Sequence, residues 1–342
     1  MKSQTLSLKG LIQKDIKTNK ATKKSKESSP FSVMLHKEMA DHVRSWRFIV
    51  LIGLIILTFV ASMYVSLGNI RSAMSNIKDP DHAFLYLKLL TITDNSTPPF
   101  HVFLSFLGPL LGISMGFDAI NAEQNSGTLT RLMAQPIYRD NILLAKFVSA
   151  LIMVGALFLI LAMLMIGGGL MLTGVRMEPQ ELLRILGFTV ISIIYVGFWL
   201  SLSIVLSIKF RQAATSALTA VGIWLFFTVF YQIIINLVIR SFLPDPAFLS
   251  QDQILSYNEL ILNLLRIAPN QLYTDASTTM LMPSVRSLGP MTMEQMAGAI
   301  PAPLPFRESL MIVWPQVSGM IGATVACFAL SYYLFMRREI RS

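Results

Sequence analysis

The residues with the means to do chemistry gather in one stretch, NAEQNSGTLTRLMAQPIYRDNILLAK, residues 121–146. Glu123, Arg131, Arg139, Asp140 and Lys146 form a polar island there between two long apolar runs. Mixed acids and bases without a histidine, cysteine or activated serine suit salt bridges and docking rather than bond making. Catalytic patterns are missing elsewhere too. His36 and His42 stand near Glu38 and Asp41, but their order does not fit H-E-x-x-H, and a six-residue separation carries the two imidazoles too far round a helix to share a metal. The sequence has no paired intramembrane aspartates and no cysteine–histidine pair. A P-loop needs glycines around phosphate and a lysine for its charge, and the dipeptide Gly-Lys does not occur. The expectation is a chain that is not an enzyme and holds no catalytic residue, cofactor or metal.

Composition determines the solvent in which those charges sit. Of 342 residues, 54% are hydrophobic and 14% charged, with a mean hydropathy of +0.59, which predicts an all-α integral membrane protein. A formal charge of +9 could suit nucleic acid, but the lysines crowd into the first 26 residues without interleaved aromatics. Anionic lipid head groups are the better match. The lone Cys327 lies in an apolar run, so no intrachain disulfide is available.

Taken in order, residues 1–29 read as a flexible basic tail. Ser29-Pro30 resembles a helix start, and residues 30–47 read as an interfacial amphipathic helix with Phe31, Leu35, Met39, Val43 and Trp46 on its apolar stripe and Lys37, Glu38, Asp41, Arg44 and Arg47 on its polar side. Six apolar runs follow, at 48–67, 101–120, 147–169, 185–208, 216–239 and 311–336. Each approaches the roughly 20 residues that carry a helix across about 30 Å of hydrocarbon. Residues 68–99 are expected as an ordered loop. Span two carries Gly108, Gly112 and Gly116, and span six pairs Gly319 with Ala323, both small-residue stripes for close helix packing. The segment 240–307 shows a capping-box pattern at Ser256 and Glu259, then an apolar face with Leu260 and Leu264 before Pro269, and a hint of a second short helix at Thr292 and Gln295. Residues 337–342 complete the C-terminus. Basic residues near span ends favour the side that holds Arg47, Arg131, Arg139, Lys146, Lys209, Arg337 and the lysine tail as cytoplasmic. Both termini and the 121–146 stretch are then expected inside, and 240–307 outside.

An ion-coupled carrier usually holds ionisable groups at mid-depth. Within the six runs only Asp118 is charged, near the inner end of span two, while Gln232 and Asn236 are the strong amides of span five. Work must then enter from another chain, through 121–146. Within it, Leu129, Leu132 and Met133 fall at helical spacing, Gly127 and Thr128 precede them, and Pro136 stops the run.

Glu123, then Gly127-Thr128-Leu129, Leu132, Pro136-Ile137, Arg139, Ile142 and Lys146 resemble the signature of the type-2 ABC exporter permeases. The six-run layout, Lys37-Glu38 before span one and Ala268-Pro269 before span six resemble the branch that includes permeases linked to multi-copper enzyme maturation and gliding. Tyr138 and Ala145 depart from residues frequent in that pattern, a serine and a glycine. The resemblance implies that 121–146 is a coupling helix for a separate cytosolic ABC ATPase in two copies, which carries ATP and Mg. It further implies a second permease copy, a homodimer in the cell membrane. Glu123 and Arg131 would make polar contacts to the ATPase or to the interfacial helix, Gly127 and Thr128 would turn the chain, Leu129, Leu132 and Met133 would anchor it, and Pro136 and Arg139 would lead it back. Leu260, Leu264 and Pro269 would belong to an outer gate or dock for an extracytoplasmic protein. The alternative is a membrane anchor or ion-coupled carrier that docks such a partner through 240–307.

Overall fold

The computed structural model describes residues 30–75, 84–91, 98–134, 138–242, 250–284 and 303–337. All regular structure among them is helical, and six helices are long and apolar enough to cross a membrane: Trp46–Asn69, Phe100–Asn125, Arg139–Thr173, Pro179–Lys209, Ala213–Ser241 and Phe306–Arg337. These are spans one to six below. Before them lies α1 (Pro30–Arg44), and α2 (Leu85–Thr91) follows span one. The main helix of span two ends at Gly116; α3 (Asn121–Asn125), the last turn of that stretch, and α4 (Thr128–Met133) make up the segment or loop after span two, while α5 (Gln251–Leu265) and α6 (Pro269–Leu281) lie between spans five and six.

Span four is the centre of the fold, packed against spans two, three and six and against α6. Its sequence makes that close approach workable. Pro179 sits in the first turn, Glu178 and Glu181 form a reciprocal capping box, and Lys209 ends the run near the negative pole of the helix. Span two meets it through its small-residue stripe: a Cβ on Gly112 would stand 2.6 Å from the Val196 carbonyl oxygen, and one on Gly116 would stand 2.9 Å from that of Leu200. Gly108 has ordinary contact distance to Tyr195. In span six Gly319 is open, with one atom, Leu272 Cδ1, at 3.9 Å, whereas Ala323 packs against the core.

Several local features differ from the sequence reading, each for a visible reason. The helix of span three begins at Arg139, well before the apolar run at 147, because Asp140 in its first turn complements the helix pole. Its Gly167-Gly168-Gly169 run stays helical, since Gly169 lets the Tyr86 ring approach, and the helix ends instead at Gly174 with φ 68°. The loop expected at 68–99 contains α2, whose Leu85, Tyr86, Leu87, Leu89 and Leu90 are buried. The capping box of the outer segment is Ser250 with Gln253, six residues before the expected Ser256. Pro269 opens α6 rather than merely following α5. The tail 1–29, Pro136, and the helix expected at Thr292 and Gln295 lie outside the described residues.

Candidate functional site

The short helix expected after Gly127 is α4, and a second short helix, α3, precedes it, the two separated where Gly127 takes φ 70°. That left-handed value suits glycine because it has no Cβ. Thr128 Oγ1 then donates to the Glu123 carbonyl at 3.2 Å, closing the turn.

Glu123 is the hub of an ion cluster that no local spacing could show. Lys146, on span three, donates from Nζ to Glu123 Oε1 at 2.8 Å and to Glu38 Oε2 at 2.9 Å. Lys37, on α1, donates to Glu38 Oε1 at 3.0 Å and to the same Glu123 Oε1 at 3.2 Å. Two ammonium groups and two carboxylates thus alternate in a ring that joins α1, the loop after span two, and span three. The side chains of Lys146 and Glu38 are each only 6% exposed, so neither charge has water to fall back on. Burial alone would raise the Glu38 carboxyl, but the charges and hydrogen bonds of Lys146 and then Lys37 outweigh it and hold it below the usual carboxylate range. For Lys37, burial pulls the ammonium down while Glu38 and Glu123 more than reverse that, leaving it above the usual lysine range. Burial lowers His42, half-turned toward the same cluster, although Glu38 opposes it.

Apolar packing beneath the ring holds it in register. Met34 of α1 meets Ile142 and Ala145 of span three, with Phe31 and Leu132 against them. The apolar stripe read from sequence coincides with this contact only in part: Phe31 packs in it and Leu35 and Met39 are half-buried, whereas Val43 and Trp46 are exposed, and the buried positions of α1 are Met34 and Glu38. Charge periodicity put Glu38 on the polar face, and in a membrane protein the polar face of an interfacial helix can be the one turned to protein.

On its other side the loop is tied to span four. Ser207 Oγ accepts from the backbone N–H groups of Ile120 and Asn121 at 3.0 and 3.3 Å, satisfying donors that open α3. Asn125 Nδ2 donates to the Arg211 carbonyl at 2.9 Å, in the tight connection between spans four and five. Asp118, the one charge within an expected span, is paired with Arg47, whose guanidinium also lies 4.6 Å from the Phe117 ring centroid.

The structure therefore divides the residues expected to couple. Glu123 and Leu132 face α1, and Leu129 is 3% exposed within the main core, so these three fasten the loop to its own chain. Gly127, Thr128, Arg131 and Arg139 are exposed on the loop's free face, together with Tyr138. Met133 lies in α4, with its side chain outside the described residues. Lys37, Glu38 and Ser207 are the members a site list from sequence lacked. The Lys37-Glu38 pair was visible only through family resemblance, and nothing in the sequence couples Ser207 to residues 86 and 87 positions away. Among the described residues no group of three or more histidine, cysteine, aspartate or glutamate side chains is placed to hold a metal.

The chain is similar to known proteins over most of its length. A family model described as "ABC-2 family transporter protein" matches residues 33–340. A "Probable ABC transporter permease protein NosY" of Pseudomonas aeruginosa is 27% identical over 241 residues, which cover 69% of this chain and 78% of that protein. A protein of the same description from Stutzerimonas stutzeri is 34% identical over 140 residues, covering 40% of this chain and half of its own length. With the match spanning nearly the whole described region, the chain belongs to the ABC-2 transporter family, as a multi-pass membrane permease subunit whose associated ATP hydrolysis resides in a separate subunit.

Proposed function

We propose that this permease is one half of an exporter in which the segment after span two receives motion from a cytosolic ABC ATPase and passes it on at two places. The observation that carries the reading is the double attachment of that segment. Glu123 ties it to α1 and span three through Lys37 and Lys146, and Ser207 and Arg211 tie it to span four. A loop so held cannot shift without taking those helices along. Its exposed Arg131, Tyr138 and Arg139 are the groups left for a partner's surface, while Leu129 and Leu132 keep the short helices seated.

In this reading both termini and the loop lie in the cytosol, the chain resides in the cell membrane, and two ATPase copies carrying ATP and Mg act on two permease copies. Closing of the ATPases on nucleotide shifts the bundle only by their differential affinity for its two arrangements. Spans two and four move together, because their backbones touch at Gly112 and Gly116. At the outer end span four reaches the segment before span six: Arg184 donates to the carbonyls of Met280 and Leu304 and to Ser309 Oγ, at 3.0, 2.6 and 3.0 Å. Displacement of the loop is thereby felt at α6, where Pro269 is buried. Leu260 and Leu264 of α5 border the open outer groove suited to a gate or to an extracytoplasmic partner. The ion-coupled alternative loses its candidate, since Asp118 is engaged by Arg47.

The test is site-directed crosslinking in the assembled transporter. Cysteine at Arg131 or Tyr138 should crosslink to the co-expressed ATPase in a nucleotide-dependent manner, while cysteine at Val190, exposed on span four, should not. Crosslinks from neither loop position would remove the docking assignment.

A further inference from the structure

Two buried groups of opposite charge stand one turn apart at the outer end of span four and do not pair. Glu181 is 2% exposed and Arg184 is fully buried, and neither makes an ion pair among the described residues. Each holds a different outer segment instead. Glu181 keeps Oε2 for its capping box, accepting from the Glu178 N–H at 3.0 Å, and with Oε1 it accepts from the Tyr86 N–H of α2 at 2.9 Å. Arg184 holds α6 and the entry to span six through the Met280 and Leu304 carbonyls and Ser309 Oγ, while its Nε–H has no partner. The α2 helix has the character of a cover. Its Leu90 lines an apolar cleft with Phe59, Leu104, Phe158 and Phe188, and His101 Nδ1 fastens its far end by donating to the Leu90 carbonyl at 3.2 Å. Phe84, just before it, takes φ 66°, a left-handed value that a residue with a Cβ keeps only where its surroundings impose it.

The spacing of the two charges sets an energetic rule. Release of α2 alone leaves the Glu181 carboxylate without the N–H that faced it, in a site still closed by α6. Release of α6 alone does the same to the Arg184 guanidinium. A buried charge stripped of its partners is strongly unfavourable. Release of both frees two opposite charges at i and i+3, which are neighbours on a helix surface. Arg184 reaches in the right direction, because helical side chains lean toward the N-terminus and so over the turn that carries Glu181.

We propose that Glu181 and Arg184 are positioning residues of the transport cycle: with the outer end closed each latches one outer segment to span four, and on opening they exchange those segments for one another, so that α2 and α6 release together. The proposal rests on the permease reading above for what drives the opening, and adds the residues that make the outer end move as a unit.

The experiment follows amide hydrogen exchange in the full chain co-expressed with its ATPase, in lipid nanodiscs. His101→Ala loosens α2 at the end away from the latch. It should raise exchange several-fold in α2 and by a similar factor in residues 276–282 of α6. In a Glu181→Gln background, which keeps an acceptor for Tyr86 and removes the charge, the same change should raise exchange in α2 alone, whereas Glu181→Asp should keep the two segments linked. Arg184→Gln should unlink them as well and Arg184→Lys should restore the link, so either neutral variant carries the test if the other fails to fold. Faster exchange confined to α2 in the otherwise unmodified chain overturns the latch. A linked response that survives the loss of either charge overturns it too, and assigns the link to the direct packing of α2 on α6. Co-purification of the ATPase, scored in the same samples, decides the permease reading separately, since the inner loop lies at the opposite end of the bundle.

Discussion

Span four and span five are similar in length and hydropathy, yet 78% of the most apolar stretch of the first is buried within the chain and 11% of the second. Span four spends its polar groups internally: Ser203 donates to the Ile113 carbonyl, Ser207 caps the entry to α3, and Arg184 binds two carbonyls and a hydroxyl. Span five leaves its amides facing outward, and a Cβ at its Gly222 would meet nothing within 4 Å. The difference teaches that hydropathy places a helix in the membrane without saying which neighbour it serves. Span four, with the loop and α1 attached, is the part that makes the monomer a unit, and span five is the part that leaves most of its surface outside that packing.

Substitutions on the two sides should separate accordingly. The largest effect is expected at the ion ring. Lys146→Met leaves Glu38 and Glu123 sharing Lys37 alone in a largely buried site and should cost about 3–5 kcal/mol, read as a fall in thermal stability of the purified permease. Gly112→Ala comes next, because its Cβ would press on backbone that has no rotamer to yield; about 1–3 kcal/mol is expected. Gly222→Ala on span five should leave the same melting curve unmoved. Arg184→Gln leaves the Met280 and Leu304 carbonyls short of donors and should cost about 1–3 kcal/mol on the same melting curve. Gln232→Leu with Asn236→Leu, both exposed on span five, should be nearly silent, within about 0.5 kcal/mol for the folded monomer. A loss of monomer stability there as large as at Gly112 would abolish the contrast.

Acid gives a gentler probe of the inner joint. Because Glu38 is held below the usual carboxylate range, its contribution is fully present above that range and is lost as pH falls through its depressed value. Lys37, held above the usual lysine range, contributes up to that range and loses its share only in strong alkali. Attachment of α1, followed by a fluorophore at Val43, should therefore be flat through neutral pH and fail on acidification. Glu38→Gln should flatten the acid limb.

How far the sequence reaches depends on the distance between partners. Six apolar runs were legible because one hydrocarbon thickness dictates their length, and the glycine stripe of span two was legible because four-residue spacing is local. Gly127 could be read as a turn from its place before a helical run. The ring was not legible. Glu38 and Lys146 are 108 positions apart, and periodicity placed Glu38 on a water-facing side. The start of α5 was misplaced by competing caps, since Ser250 with Gln253 and Ser256 with Glu259 have the same spacing and only the fold selects the first. Roles within the loop needed the structure for a similar reason. Leu129 and Arg131 are neighbours in sequence, but one is inside the core and the other in solvent.

The central claim is that the loop after span two conveys motion through Glu123 to α1 and span three. Its most direct measurement is cargo-dependent ATP hydrolysis by the reconstituted permease–ATPase complex carrying Glu123→Gln, which keeps the side chain's shape and removes its charge. The expected result is a complex that still assembles, melting below the unmodified one because the ring loses a charge, while stimulation of hydrolysis per assembled complex falls several-fold. Full stimulation in an assembled Glu123→Gln complex would contradict the account.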